Sequence, residues 1–463
     1  MQNTKNEKNF SKILYVILGN FIKLTTSIAI AFLIPDILGL TDYGFYKVFL
    51  LYVTYIGFFQ FGFVDGIYLK YGGTDYDDLC NENFRAFFRF YLIFQLSIVF
   101  GGFIVVNLFL KGDRQFIFNL LMINLFLLNL TAYFQFVSQI TSRFREYSNR
   151  LIVYSVGNLF SVGIMFFFRL DSYKIFISLL LSVNLLILIW YVYTYRKIVF
   201  GNITKFMFIQ SDLVSNFKKG IPLLLANFSA TLMLTVDKQV VELFFPVDDF
   251  AIYSFAYSML VIITAFISAI SITIYPLLKK IQMEKLHIFY DKYDSLIIIL
   301  VCIGMIGYFP LKFLIPTVLP DYASSLSIFR IVMPALIFTS SVSTIKHNII
   351  KVLDKNNQFF YITLISVVIT VSLNLVAYFY FGSLVGISAS TVFGIFIWYA
   401  LTEIYINKKL KTKWLSKLII AVFSMLIFYT STLIDNIFIS GFLYVLWSIL
   451  LLGLLYRIVR VEI

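Results

Sequence analysis

An all-α integral membrane protein of about fourteen transmembrane helices is the fold class this sequence predicts, and two observations carry the prediction. Sixty percent of the 463 residues are hydrophobic and only 13% are charged. Soluble domains run nearer about a quarter charged, so the main solvent of this chain is lipid. Long apolar segments also tile it almost end to end, each near the roughly 20 residues that cross a hydrocarbon core of about 30 Å.

The segments fall at about 12–34, 45–69, 86–110, 115–138, 151–168, 174–195 and 220–245, then at about 250–276, 295–315, 325–345, 358–380, 383–406, 416–434 and 437–457. The first is too long for a cleavable signal, lacks a small-residue cleavage site and is followed by further spans. Cys80 in a gap and Cys302 in a span lie in different environments and predict no disulfide.

The 37 Lys and Arg residues divide unevenly between the gaps. One side carries 28 of them: Lys5, Lys8 and Lys12 at the amino end, then Lys70, Arg85, Arg89, Arg143, Arg145 and Arg150, and so on through Lys346 and Lys417 to Arg457 and Arg460. The other side has five, namely Lys111, Arg114, Arg169, Lys174 and Lys312. Short basic loops stay inside, so both termini are expected in the cytoplasm of a bacterial inner or plasma membrane protein. The net charge of +13 is then explained by topology and anionic headgroups, and no nucleic-acid partner is expected.

A weak internal repeat organises the spans. Asp42-Tyr43-Gly44-Phe45-Tyr46 opens the second and Asp249-Phe250-Ala251-Ile252-Tyr253 opens the eighth, each after a short outer loop and six spans apart. Two pseudo-symmetric six-helix lobes produce this pattern: 1–195 and 220–407, joined by a cytoplasmic linker over 196–219, with two additional helices in 408–463. The linker mixes Phe206, Ile209, Leu213, Val214 and Phe217 with polar residues, and reads either as an amphipathic helix at the headgroups or as an irregular strip. Parallel repeats are common in alternating-access transporters, whose site lies between the halves.

The stretch Leu38-Gly39-Leu40-Thr41-Asp42-Tyr43-Gly44-Phe45-Tyr46 resembles a signature of polysaccharide-unit flippases, and Phe61-Gly62-Phe63-Val64-Asp65-Gly66 through Gly73 continues it. Gly220-Ile221-Pro222 with Asn227, Asp237-Lys238, Tyr253-Ser254-Phe255-Ala256, Tyr275-Pro276 and Pro320-Asp321-Tyr322 follow in the family's order. The chain therefore resembles the Wzx-type O-antigen repeat-unit flippases of the multidrug/oligosaccharidyl-lipid/polysaccharide (MOP) exporter superfamily. The likeness covers about residues 12 to 410 and is thin beyond. It implies a MATE-like fold and translocation of an undecaprenyl-diphosphate-linked oligosaccharide for O-antigen, lipopolysaccharide or capsule biosynthesis. Membrane lipids, a polymerase and chain-length proteins are the partners it implies. Two alternatives stand beside it: a MATE-type ion-coupled exporter of small cations, and a membrane polymerase or ligase of the same pathway.

The residues themselves present no catalytic constellation. His287 and His347 are the only histidines, so no metal site or nucleophilic triad is expected. No GxxxxGK[ST] loop is present to bind ATP. Neither a cofactor nor a metal is expected, and H+, Na+ or the membrane potential are the open choices for coupling.

Charges within the spans are the sharper clue, since each costs at least about 2.5–3.5 kcal/mol at a helix centre and needs a partner or a wet cavity. Lys23 lies 11 residues past Lys12, about 16 Å along a helix, with no opposite charge within one turn. Asp65, Asp237, Lys238 and Arg330 complete the cavity candidates for substrate binding. Lys238 and Glu242, four apart, are expected to form a structural pair. Pro334, one turn past Arg330, is expected to kink its helix.

Cysteine labelling at Asn407 and Asp435 should report opposite sides of the membrane, because the thirteenth span separates them. The same side for both removes that span.

Overall fold

A break after Met233 and a second at Pro334 turn two helical segments by 55° and 48°. The computed structural model describes residues 2–203, 206–278 and 281–460, with side chains for 19–203, 209–261, 278, 281–458 and 460. Lys5, Lys8, Lys12, Lys205, Lys279 and Lys280 of the basic set, Phe206 of the linker and the Tyr275-Pro276 motif lie outside the described side chains.

Every element among the described residues is helical. The helices are α1 Gln2–Val53, α2 Phe63–Tyr71, α3 Asn81–Phe109, α4 Gly112–Ile140, α5 Phe144–Phe167, α6 Tyr173–Thr194, the single turn α7 Arg196–Val199 and α8 Phe206–Met233. They continue with α9 Val236–Phe244, α10 Val247–Leu278, α11 Leu286–Gly304, α12 Tyr308–Val318, α13 Ser325–Val332, α14 Ala335–Ser341 and α15 His347–Val352. The last four are α16 Asn356–Phe381, α17 Leu384–Leu410, α18 Trp414–Thr432 and α19 Ile437–Arg460. The chain forms two compact units, 1–228 and 229–463.

Ten helical segments among the described residues are long and apolar enough to cross a membrane, or twelve with the two bent pairs. One of the ten, Gly19–Gln60, has 42 residues. At 1.5 Å per residue it would run about 63 Å, twice what one crossing needs. It divides at Gly39 and counts twice, and α10 adds another, which brings the total to fourteen.

Unit 1 shows why the first signature has its composition. The expected outer loop at 35–43 is helix on both sides of one residue: Gly39 has φ 68° and ψ 178°, a conformation confined essentially to glycine. Asp42, just beyond, accepts a hydrogen bond from the Tyr173 amide at 2.8 Å and so caps the start of α6. The expected second span is also interrupted, by a 3-10 turn at Ile56–Gln60 and left-handed residues at Phe61 and Gly62. Backbone groups freed there have buried amides nearby. Gln95 donates to the Phe59 carbonyl at 3.0 Å, Asn129 donates to Gln95 at 2.9 Å, and Gln60 donates to Asn129 at 3.1 Å. In lipid such a network replaces the water that an irregular turn would otherwise require.

The first part of the linker, 196–203, is held against α3. Arg85 of α3 donates to the carbonyls of Lys197 and Asn202, and Arg89 donates to that of Gly201. From Phe206 onward the linker is already α8, which runs unbroken into the seventh span. Its residues Ile209 and Leu213 are buried and Val214 is exposed.

In unit 2 a buried ionic cluster ties four elements together. Lys346, in a π-helical turn Val342–Lys346, lies 3.1 Å from Asp294 of α11 and 2.8 Å from Glu403 of α17. Lys417 of α18 lies 3.2 Å from Asp291, 3.1 Å from Asp294 and 3.7 Å from Glu403. Three carboxylates thus face two ammoniums, and neutral donors supply the balance: Ser341 to Asp294, Tyr290 and Thr412 to Glu403, and the Lys413 amide to Asp291. The Lys417 ammonium also sits 3.9 Å from the centre of the Tyr290 ring. Both lysines belong to the basic set expected in cytoplasmic gaps, yet both are fully buried. Farther along, Tyr444 of α19 donates to the Cys302 carbonyl at 2.6 Å, so both of the last helices are bonded to α11.

Removing one ammonium leaves uncompensated carboxylates in the interior. Lys417→Met should destabilise the protein by about 3–5 kcal/mol. Adding Glu403→Gln should return most of that loss. Thermal unfolding in detergent measures both.

Candidate functional site

Two broken helices of unit 2 open a cavity of about 560 Å³, within the size range of small-ligand sites. The first break lies between α8 and α9, whose axes turn by 55° at Leu234–Thr235. It brings Met233, Leu234, Asp237 and Lys238 to the cavity wall. The second lies between α13 and the helices after it, with a turn of 48° at Met333–Pro334. Pro334 has no N–H to give the carbonyl of Arg330, and the next turn closes with tighter bonds, Leu336 to Met333 and Ile337 to Pro334. This segment lines the cavity with Val332, Ala335, Leu336, Thr339, Ser340, Ser343 and Thr344. Tyr257 and Leu260 of α10 and Thr391 and Ile395 of α17 complete most of the wall.

Asp237 is the polar centre of that wall. Its carboxylate is 1% exposed and accepts from Tyr253 at 2.7 Å and from Tyr257 over a short bond. The two tyrosines are one helical turn apart on α10, so both hydroxyls reach the same oxygen. The Lys238 ammonium lies 4.3 Å from the centre of the Tyr257 ring. Carboxylate, phenol and ammonium form one neutral group, the arrangement that lets charges persist in a low-dielectric wall. Glu242, a turn beyond Lys238, is buried. Behind the wall the Asn374 carboxamide oxygen accepts from Ser390 and Thr391, while its nitrogen is buried without a partner.

The remaining sequence-predicted residues lie elsewhere. Lys23 is on α1 in unit 1, exposed, with its charge facing that of Arg150 on α5. The packing explains this: Gly19, one turn before Lys23, touches Ser148, two residues before Arg150. Arg150 donates to Gln135 of α4 at 2.9 Å, and its Nε is buried without a hydrogen-bond partner. Two cations thus face each other across the α1–α5 contact. Asp65 is buried in the first turn of α2, close enough to act on the Tyr91 hydroxyl. Arg330 lies outside the cavity wall, where its charge acts on the hydroxyls of Tyr308 and Tyr429. Among the described residues, no group of three or more His, Cys, Asp or Glu is arranged to hold a metal ion.

Tyr257, Arg150 and the bond from Tyr253 to Asp237 are not among the sequence-predicted candidates. Tyr253 and Tyr257 carried a usable signal, two tyrosines at helical spacing in an apolar span. Along the chain Arg150 falls with the loop cations, yet α5 begins six residues before it.

Comparison with known proteins supplies the fold's relatives. No protein-family model and no curated protein sequence matches the chain. Among solved structures it is similar to the lipid II flippase MurJ in an inward closed conformation, with TM-score 0.72 and 12% identity over 97% of this chain and 99% of that one. It is also similar to an outward-facing multidrug resistance MATE family transporter of the MOP superfamily, with TM-score 0.62 and 12% identity over 86% and 95%. A third is a MOP superfamily transporter from Pyrococcus furiosus described by the reverse polarity of its binding pocket, with TM-score 0.61 and 12% identity over 86% and 95%. The chain is a multi-pass membrane protein with the fold of the MOP superfamily transporters and flippases.

Asp237→Asn removes the negative member of the neutral group and should destabilise the protein by about 1–3 kcal/mol. The double substitution Asp237→Asn/Lys238→Met should be milder than the sum of the singles. A double-mutant cycle on thermal unfolding measures the coupling.

Proposed function

We propose that this protein is a flippase that carries an undecaprenyl-diphosphate-linked oligosaccharide from the cytoplasmic to the outer leaflet by alternating access, for assembly of a surface polysaccharide. The observation that carries this reading is the extent of the likeness to the lipid II flippase. A coverage of 97% leaves about 14 of the 463 residues unmatched, fewer than the 47 residues from Trp414 to Arg460. At least part of the last helix pair therefore belongs to the match. The MATE transporter covers 86% of the chain, which leaves about 65 residues unmatched and room to omit the pair entirely.

The intramembrane charges fit such a cargo. Lys23 and Arg150 offer two cations to a diphosphate, the ammonium as a compact point charge and the guanidinium as a fork. A like-charged pair near the membrane interior is relieved by an anion lying between its members. The unit 2 cavity, with hydroxyls on one wall and Tyr257 and Lys238 on another, suits a saccharide better than a bare cation. With the cell interior negative, each negative charge moving outward through 100 mV is worth about 2.3 kcal/mol. The membrane potential alone thus favours export, and coupling to H+ or Na+ through Asp237 would add to it. The protein sits in the bacterial inner membrane with both termini cytoplasmic, and it works beside the polymerase and chain-length proteins of its pathway.

Deletion of the gene should leave repeat units on carrier lipid at the cytoplasmic leaflet and stop polymer reaching the surface. Lys23→Ala and Arg150→Gln should have the same effect with near-normal membrane insertion, while Lys23→Arg retains part of the export. Surface polymer at wild-type levels in the deletion strain rejects the flippase. Loss of a glycosyl-transfer activity in vitro would point instead to the polymerase or ligase reading.

A further inference from the structure

The Gly62–Gly66 and Gly220 motifs have no part in either charged site, and unit 1 brings them together. Helices α2 and α8 run antiparallel and touch once per turn. Gly62 meets Gly220, Gly66 meets Asn216, and Lys70 meets Asp212. The first two contacts are backbone to backbone. A Cβ on Gly66 would lie 1.9 Å from the Asn216 carbonyl oxygen, and one on Gly220 would lie 1.8 Å from that of Gly62. No residue but glycine permits this approach. The third contact is an ion pair, 2.7 Å between Lys70 Nζ and Asp212 Oδ1, with both side chains about a third exposed.

We propose that this ladder is a gate, closed in the state described here and parted in another state of the transport cycle. Five observations set it apart from permanent packing. The Asn216 side chain is fully buried and neither its oxygen nor its nitrogen has a hydrogen-bond partner, so the closed contact carries an unmet polar cost that opening to water removes. Helix α2 has only nine residues, with Phe61 and Gly62 at positive φ before it and Gly73 at positive φ after it, which makes it a short rod with a break at each end. Pro222 follows the crossing on α8 and leaves the Lys218 carbonyl without its helical donor, a weak point for bending. The glycine faces are flat, so they part without withdrawing side chains from holes. The Lys70–Asp212 pair closes the basic end of the ladder, which is cytoplasmic by the loop-charge rule. An exposed pair of this kind is weak and readily exchanged for water.

The test needs no cargo and so stands apart from the flippase reading. Asn216→Cys is made in a Cys80→Ser background, and inside-out vesicles are treated with a membrane-impermeant maleimide. The thiol should react slowly. Lys70→Glu, which sets two carboxylates face to face, should speed the reaction, and the exchanged pair Lys70→Glu/Asp212→Lys should slow it again. Leu213→Cys, on the same buried face, should follow the same order if Asn216→Cys folds poorly. Equal reactivity in all three charge backgrounds, whether uniformly slow or uniformly fast, would overturn the gate.

Discussion

A charge inside hydrocarbon must meet a counter-charge, a dipole or water, and the arrangement of this protein follows from how each of its charges does so. The cluster of Asp291, Asp294, Lys346, Glu403 and Lys417 is the closed solution. Every member has a partner within the protein, and the one surplus negative charge is covered by hydroxyl and amide donors. Such a group is rigid because moving one member strands the others. It therefore suits a joint that holds α18 to α11 and α17. The same joint gives the last helix pair a physical role, since Lys417 and Tyr444 bond that pair to the unit.

Asp237, Lys238 and Tyr257 form an intermediate case, neutral as a group and placed on a cavity wall. Lys23 and Arg150 are the open case, two cations facing each other. The series runs from charges fully paired within the protein to charges of one sign facing each other. The most deeply buried lysines, Lys346 and Lys417, are also the most completely paired.

Helix breaks are the second theme, and each has a local cause. Gly39 adopts a conformation that side chains exclude, and Pro334 withholds a donor from Arg330. At Leu234–Thr235 no proline is present. There the Thr235 hydroxyl returns to the Thr231 carbonyl at 2.7 Å and takes over a bond that the backbone has given up. Irregular backbone at membrane depth survives where it lines a cavity or is covered by protein, and the unit 2 cavity lies at two such breaks.

The sequence by itself determined the solvent, the all-helical membrane class and the bend at Pro334. Composition and apolar length report directly on lipid, and Gly39, Pro334 and the Asp237-Lys238 pair act through their own backbone or their immediate neighbours. It also held an unused signal, since Asp294 and Glu403 are carboxylates at or within apolar segments and needed partners. Which partners they take was decided by tertiary structure alone. Lys346 and Lys417 look like loop cations along the chain, and only the folding of α14, α17 and α18 onto α11 brings them to those carboxylates. The pairing of Lys23 with Arg150, and of Gly66 with Asn216, has the same origin. Periodicity and composition describe one element at a time, whereas the sign of a charge's neighbour and the clearance above a glycine depend on which other element packs there.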